Sequence, residues 1–308
     1  MDKRLGNHME KIRPFLVSLL FVTLSARFVI AAEEKISTTT PQDETTLDLV
    51  STESTYTLSS DFKNESRLGH GDSFYNDFNF DRRFLITGKW YFRAGVEYER
   101  YDFGGSDNGM PDHLQAASSH VAVEYVVHDF PGILLELDPG FYFQNRISSD
   151  AFDVRLKAFV AFPLKKDKVF GAIGIGGALY QDPVIAPGGG IIWLISDKLR
   201  LDGVIPKPAL VYQPNADWKF QILGELVYES FRTDDVITPL HKLQVHNAVV
   251  QYNEDRAGVQ VTYSGFRPFK ISAGAGYTAV RDFDFFRHGV RERLDPAPYF
   301  RFAIDARF

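Results

Sequence analysis

Residues 296–308 read Pro-Ala-Pro-Tyr-Phe-Arg-Phe-Ala-Ile-Asp-Ala-Arg-Phe. From Phe300 onward every second side chain is apolar, and the residues between them are mostly charged. A period of two places alternate side chains on opposite faces of a β-strand. The segment is therefore predicted to be a strand with one apolar face, which could pack on a soluble core or face a lipid bilayer.

The position of this strand favours the bilayer. Its alternation stops on Phe308 with no further residue, and it resembles the C-terminal signal strand of bacterial outer-membrane β-barrels, which ends in Phe and is read by the barrel-assembly machinery. The resemblance implies outer-membrane lipid and that machinery as partners. It also implies an assembly signal made of Phe300, Phe302, Ile304 and Phe308. A soluble β-sandwich that ends this way by chance is the alternative.

The other end of the chain predicts secretion. Four basic residues, Lys3, Arg4, Lys11 and Arg13, precede an apolar run over 15–26 and the small residues of 29–32. This pattern is typical of a signal peptide, here over residues 1–31. An N-terminal anchor is disfavoured because the run is shorter than the ~20 residues of a spanning helix. Residues 32–45 are polar and aperiodic, which predicts a flexible periplasmic leader.

Composition fits a barrel made of many strands. Aromatic residues make up 14% of the chain, with 24 Gly and no Cys, a combination that suits β-structure and rules out thiolate chemistry and Cys metal sites. The net charge of −6 gives no support to nucleic-acid binding. Mean hydropathy is −0.17, and after residue 31 no apolar segment is long enough for a membrane helix, which excludes a helical membrane protein. Residues 46–308 show no composition break and are predicted to be one barrel domain.

Turn signals divide this region into strands. Short turns alternate with longer polar connections, which is the asymmetry of outer-membrane barrels, and both chain ends fall on the side of the short turns. We predict fourteen strands, at about 46–61, 73–86, 89–103, 115–128, 132–145, 151–163, 168–180, 187–195, 198–205, 209–213, 217–231, 248–264, 268–283 and 296–308. Pro206 and Pro208 are the weak point, because proline cannot donate to a ladder. If the two short strands beside them do not pair, the count is twelve.

The period also predicts which side chains face inward. On 151–163 the apolar even-numbered residues should face lipid and the odd-numbered ones, such as Arg155, should face the lumen. The predicted lumen-lining residues are Arg93, Glu97, Glu99, Glu124, Glu136, Asp153, Arg155, Lys157, Glu225, Glu229, Arg301, Asp305 and Arg307. Acids and bases are nearly balanced over the whole inward set, which argues against a strongly ion-selective pore. The balance allows either a weakly selective channel or a salt-bridged, largely closed interior. We also expect Arg155→Gln to be tolerated for folding.

All three Trp residues, Trp90, Trp193 and Trp218, lie within about three residues of a predicted short turn, as an aromatic girdle requires. The glycines of 171–179 and 188–190 lie within strand patterns, so a phosphate loop is disfavoured.

The last third carries a further resemblance. The stretches 201–208, followed by Tyr212, and 274–281 look like outer-membrane barrels grouped as domains of unknown function, which implies location and fold but no site residues. No catalytic, cofactor or metal set can be named: His120, Glu124 and Glu136 fall on the inward face without a matching Ser, and the other His residues are isolated. We therefore predict a non-enzymatic, porin-like channel for small solutes in the outer membrane of a Gram-negative-type bacterium. The alternatives are an adhesion or structural barrel that binds a partner through its external loops and, more distantly, a lipid-modifying barrel enzyme.

Overall fold

A computed structural model of the chain describes residues 46–63, 69–105, 110–127, 130–234, 236–238, 243–245 and 247–308. The predicted signal peptide (1–31) and leader (32–45) lie outside these residues. Fourteen antiparallel strands close into a barrel: neighbours along the chain pair with one another, β11 pairs with β14, and β1 pairs with β17.

The wall strands run in chain order. They are β1 (Thr46–Asp61), β2 (His70–Thr87), β3 (Trp90–Gly105), β4 (His113–Val127), β5 (Phe130–Phe143), β6 (Phe152–Lys165), β7 (Val169–Gly177), β8 (Ile185–Ser196), β9 (Leu199–Val204), β10 (Ala209–Tyr212), β11 (Trp218–Arg232), β14 (Val249–Tyr263), β15 (Phe269–Phe285) and β17 (Pro298–Arg307). Among the described residues, three shorter strands lie outside the ring, namely β12 (Val236–Thr238), β13 (Leu243–Val245) and β16 (Val290–Leu294).

The fold class and the count of fourteen are confirmed. Both short strands pair, because β10 bonds to β9 on one side and to β11 on the other, and the prolines stay in the turn between them. Two boundaries differ by three residues: β2 begins at His70 instead of residue 73, and β7 ends at Gly177 instead of residue 180. The N–H groups of Leu179 and Tyr180 donate to the Asp153 carboxylate at 3.0 and 3.2 Å instead of to a ladder.

Two segments predicted as loops contain strands. β12 and β13 form a hairpin within 232–247, and β16 pairs with the last five residues of β15. β15 has 17 residues and runs past the start of β17, so its upper edge needs another partner. Short 3-10 helices occupy Ser149–Ala151 and Phe286–His288.

The outer surface of the wall is apolar. The outward side chains Phe300 and Phe302 of β17 and the adjacent Phe308 are 56, 48 and 64% exposed. The outward Trp90, Trp193 and Trp218 all lie near the short turns, where they form the predicted girdle. A closed antiparallel barrel with an apolar outer band is the architecture of bacterial outer-membrane proteins, so the chain spans the outer membrane. In the described part of the chain, no helix is long and apolar enough to cross a membrane.

Candidate functional site

The candidate site is a cavity of about 220 Å³ inside the barrel. Its charged lining comprises eight acids and seven bases, contributed by β1, β2, β3, β11, β14, β15, β17 and the turn between β9 and β10. The cavity extends from Tyr101 towards the short-turn side, where Lys219 and Lys270 are each the second residue of a strand. The opposite side of the lumen, over β4–β9, is filled by ion pairs and by apolar side chains such as Phe159, Phe170 and Ile192.

Arg93 is the centre of one buried ionic network. Its guanidinium lies 2.8 Å from Glu124, 2.5 Å from Glu136 and 3.4 Å from Asp81. Lys157 extends the network, because its Nζ donates to Glu136 at 2.7 Å and to Asp138 at 2.8 Å. Each charge in this network is compensated, as burial requires.

A glycine lets one further residue, His120, join this network. Asp81 on β2 and His120 on β4 are in hydrogen-bond contact across β3, directly over Gly95. A Cβ on Gly95 would overlap the backbone oxygen of Phe80 as well as His120 Nε2 and Asp81 Oδ1, so the backbone and both side chains would have to shift. His120 is 1% exposed, so it is structural and out of reach of a solute.

Arg155 joins opposite walls of the lumen. It forms an ion pair with Glu229 of β11, lies 3.8 Å from Glu99 of β3, and stacks with its Cζ 3.8 Å from the centre of the Tyr142 ring. Its Nη2 also donates to the backbone oxygen of Ser230 at 3.5 Å. The expected tolerance of Arg155→Gln rested on contact with water or a single partner. The structure gives Arg155 several buried partners, and its removal would leave carboxylates uncompensated.

A third network surrounds Glu225. Three bases from different elements converge on its carboxylate: Lys207 at 2.6 Å, Arg301 at 3.2 Å and Arg256 at 3.5 Å. Arg301 also pairs with Glu53 across β1 and β17. Because Lys207 belongs to the β9–β10 turn, this network ties that turn to the lumen.

The two ends of the cavity differ in charge. Lys219, Lys270 and Arg307 line its short-turn end, together with Asp305. Higher in the lumen the carboxylates of Asp77, Glu97 and Glu99 lie within 4.8 Å of one another. The lining is therefore polar throughout, with positive charge in excess towards the periplasmic side and negative charge in excess deeper inside.

Aromatic side chains from both sides of the lumen meet at the long-connection end. Ring centres are 5.2 Å apart for Tyr101 and Tyr252, 4.8 Å for Phe103 and Phe283, and 6.0 Å for Tyr101 and Phe231. These rings belong to a buried apolar cluster that also includes Leu114, Tyr142, Val250, Phe285 and Leu294. Among the described residues, this aromatic cluster crosses the lumen on the external side of the cavity. This cluster was not among the predicted features of the lumen.

The predicted lumen residues divide into two groups. Those that line the cavity are Arg93, Glu97, Glu99, Glu225, Glu229, Arg301, Asp305 and Arg307. The other five, Glu124, Glu136, Asp153, Arg155 and Lys157, point inward but are not part of its lining. Of these, Asp153 is fully buried beneath the β7–β8 connection and accepts the two hydrogen bonds that end β7.

The isolated histidines form no common site among the described residues. His113 lies 3.0 Å from Asp112, and the exposed His70 lies 3.7 Å from Asp61. His128, His241 and His246 lie outside the described residues.

No protein-family model matches this sequence, and no curated protein matches it significantly. Several solved structures are similar in fold. A COG4313 outer membrane channel of Pseudomonas putida F1 aligns at 8% identity and a TM-score of 0.47, over 85% of this chain and 95% of that one. The toluene transporter TodX of Pseudomonas putida aligns at 9% identity and a TM-score of 0.38, over 86% and 90%. The translocator domain of the autotransporter NalP of Neisseria meningitidis aligns at 9% identity and a TM-score of 0.34, over 86% and 89%.

Proposed function

We propose that the protein is a non-enzymatic channel that conducts small solutes across the outer membrane. The observation that carries this proposal is the cavity lined by charged side chains within a fourteen-stranded wall. A wall of about eight strands can be filled by side chains alone, whereas a wider one needs water, a ligand or a plug. Here side chains fill the lumen over β4–β9 and at the external end, and the charged cavity occupies the rest.

The charge balance sets the expected selectivity. Eight acids and seven bases line the cavity, and several are held in ion pairs with one another, so no ring of one sign is available to select ions. The aromatic cluster lies across the external route. We therefore expect weak ion selectivity and a small conductance, limited at the aromatic cluster and not at the charged cavity.

Planar-bilayer recording of the refolded chain tests this proposal. The wild type should give small conductance steps with little preference between K⁺ and Cl⁻. Tyr252→Ala, which removes a ring from the aromatic cluster, should enlarge them. Phe302→Ala, which removes a ring from the outer face, is the matched control and should leave conductance unchanged. A folded wild type and a folded Tyr252→Ala variant that both lack conductance would contradict the proposal.

A further inference from the structure

The barrel wall is incomplete between β8 and β11. β9 and β10 have only six and four residues, fewer than the ~9–11 residues with which a strand crosses a bilayer. The last bonds that join their turn to β11 are Gly224 N–H to Pro208 O at 2.8 Å and Leu226 N–H to Pro206 O at 2.9 Å. Above Leu226, no ladder bond in the described part of the chain joins β11 to β8 or to β10.

The two edges that flank this gap are those of β8 and β11. On β8, the oxygen of Gly189 accepts from the last paired residue of the turn, Ile205, at 3.3 Å, so odd-numbered residues of β8 direct their backbone polar groups towards the gap. The next odd-numbered residue is Pro187, which has no N–H to leave unpaired. Proline at a free strand edge is a recognised way to prevent pairing with another strand.

The edge of β11 turns into the lumen instead of being covered by a neighbour in the wall. The oxygen of Arg232 accepts from Gln144 N–H at 2.9 Å, and Arg232 aligns in parallel with Phe143 of β5. With the bond from Arg155 to Ser230 O, two strands of the opposite wall satisfy the top of this edge. The gap therefore lies beside residues 226–229 and is not closed by pairing to β8.

A connecting segment limits the gap on the external side. The ring of Tyr180 in the β7–β8 connection stacks on Arg232 at 4.8 Å, and its hydroxyl donates to Asp150 O at 2.6 Å. Asp182 N–H donates to Gln251 at 3.1 Å. The gap is thus bounded by the proline turn below, the edge of β8 on one side, the edge of β11 on the other, and this segment above.

The depth of the gap places it in the outer leaflet. Leu226 and Ile185 each lie eight residues above an outward Trp of their own strand, Trp218 and Trp193, which mark the periplasmic interface. With a rise of ~3.3 Å per residue and a tilt of ~40°, eight residues correspond to about 20 Å of an apolar band ~25 Å tall. Ile185 and Val184 are 61 and 49% exposed beside the gap, so the outer rim is apolar.

The cavity reaches this gap. Its lining includes Lys207 of the proline turn and successive residues of β11 from Gly224 to Glu229, among them the outward Leu226 and Tyr228. The free edge of β11 beside the gap therefore belongs to the cavity lining. Backbone without a ladder partner is tolerated at membrane depth only where protein buries it or where it lines a water-filled cavity, and the second condition applies at this edge.

We propose that the gap between β8 and β11 is a lateral portal through which small apolar or amphipathic molecules move between the lumen and the outer leaflet. The inference rests on the proposed channel function and specifies its solute class and route. The aromatic cluster obstructs the axial route on the external side, whereas the portal has an apolar rim that faces lipid. An apolar tail can leave through the rim while a polar head group stays among the charged residues of the cavity.

Site-specific fluorescence quenching in vesicles tests the portal. The chain has no cysteine, so a single Cys can carry a bimane label in the full-length protein. Val227→Cys places the label on the lumen face of β11 beside the gap. Ala303→Cys is the matched control, because it lines the same cavity from β17, which is laddered on both sides. Ile222→Cys, which faces lipid, gives the reference signal.

Phosphatidylcholine with a doxyl group on its acyl chain should reduce the intensity at Val227→Cys as it does at Ile222→Cys, and leave Ala303→Cys unchanged. No loss at Val227→Cys, or an equal loss at Ala303→Cys, overturns the portal. Aqueous iodide should quench both lumen labels if the cavity is water-filled, which tests the channel separately.

For the solute class, 5-doxyl-stearate should quench Val227→Cys in unlabelled lipid, and excess stearate should reverse the loss. Quenching that stearate does not reverse contradicts the assignment of solute class. Heat-modifiable migration on gels shows that each variant is folded.

Discussion

Val160→Arg on β6 should destabilise the barrel by about 2–4 kcal/mol, because Val160 lies on the lipid face near the middle of the membrane. Val160 is five residues from Lys165, the periplasmic end of the strand. At ~3.3 Å per residue and a tilt of ~40°, this puts it about 12 Å deep, half of an apolar band ~25 Å tall. Its outward neighbours across the ladders are Ile133 and Ile173, so a guanidinium there has neither a carboxylate nor water beside it.

Leu164→Arg provides the matched control. It introduces the same charge on the same face of the same strand, one residue from Lys165, where the side chain reaches the interface and the expected destabilisation is about 0–1 kcal/mol. The measurement is the free energy of unfolding in urea, followed by Trp fluorescence in lipid vesicles. The expected difference of about 1–4 kcal/mol corresponds to a change of about fivefold or more in the unfolding equilibrium. Equal destabilisation by the two variants, or a neutral Val160→Arg, would refute the assignment of this face to lipid.

Three further predictions follow from the assembly strand, the lumen and the strand packing. Phe308→Lys should slow insertion into outer-membrane vesicles that contain the assembly machinery, while strand content in detergent by circular dichroism stays unchanged; wild-type insertion kinetics would contradict the signal interpretation. Arg155→Gln should destabilise the fold by about 3–5 kcal/mol in urea unfolding, because it leaves buried carboxylates uncompensated, and adding Glu229→Gln should recover part of that loss; no recovery would show that the pair is not coupled. Gly95→Ala should prevent heat-resistant folding on gels because its Cβ would overlap the His120–Asp81 contact, whereas the exposed-turn variant Gly88→Asn, whose φ of 57° Asn tolerates, should fold normally.

Period-two alternation was sufficient to predict the wall. It identified the fourteen strands and the inward position of the charged residues, because a one-residue error of register would exchange the two faces of every strand. The same pattern could not show which charges meet. Arg155 and Glu229 lie on strands that are not neighbours in the wall, and their contact depends on β11 bending across the lumen.

The aromatic cluster shows a second limit of the pattern. Extending the register of β3 to its end puts Tyr101 and Phe103 on the same face as Glu97 and Glu99, so this half of the cluster had a signal in the sequence. Phe283 had none. Pairing between β14 and β15 shifts between Asp255 and Arg256, and Ala279 is left without a partner. This bulge reverses the facing of the upper part of β15, and strict alternation predicts the opposite face for Phe283.

The short strand pair explains both the gap and the closed external end. Because the β9–β10 turn stops at the level of Leu226, the upper edge of β11 has no wall neighbour among the described residues and bonds to Gln144 and Arg155 across the lumen. This bend brings Phe231 to Tyr101, and β14, which is laddered to β11 over its whole length, brings Tyr252 with it. The short β9–β10 pair therefore leaves the wall incomplete, and the bend of β11 that follows from it places the aromatic rings in contact. A change that straightened β11 would move Phe231 and Tyr252 away from Tyr101 and so open the external end of the lumen.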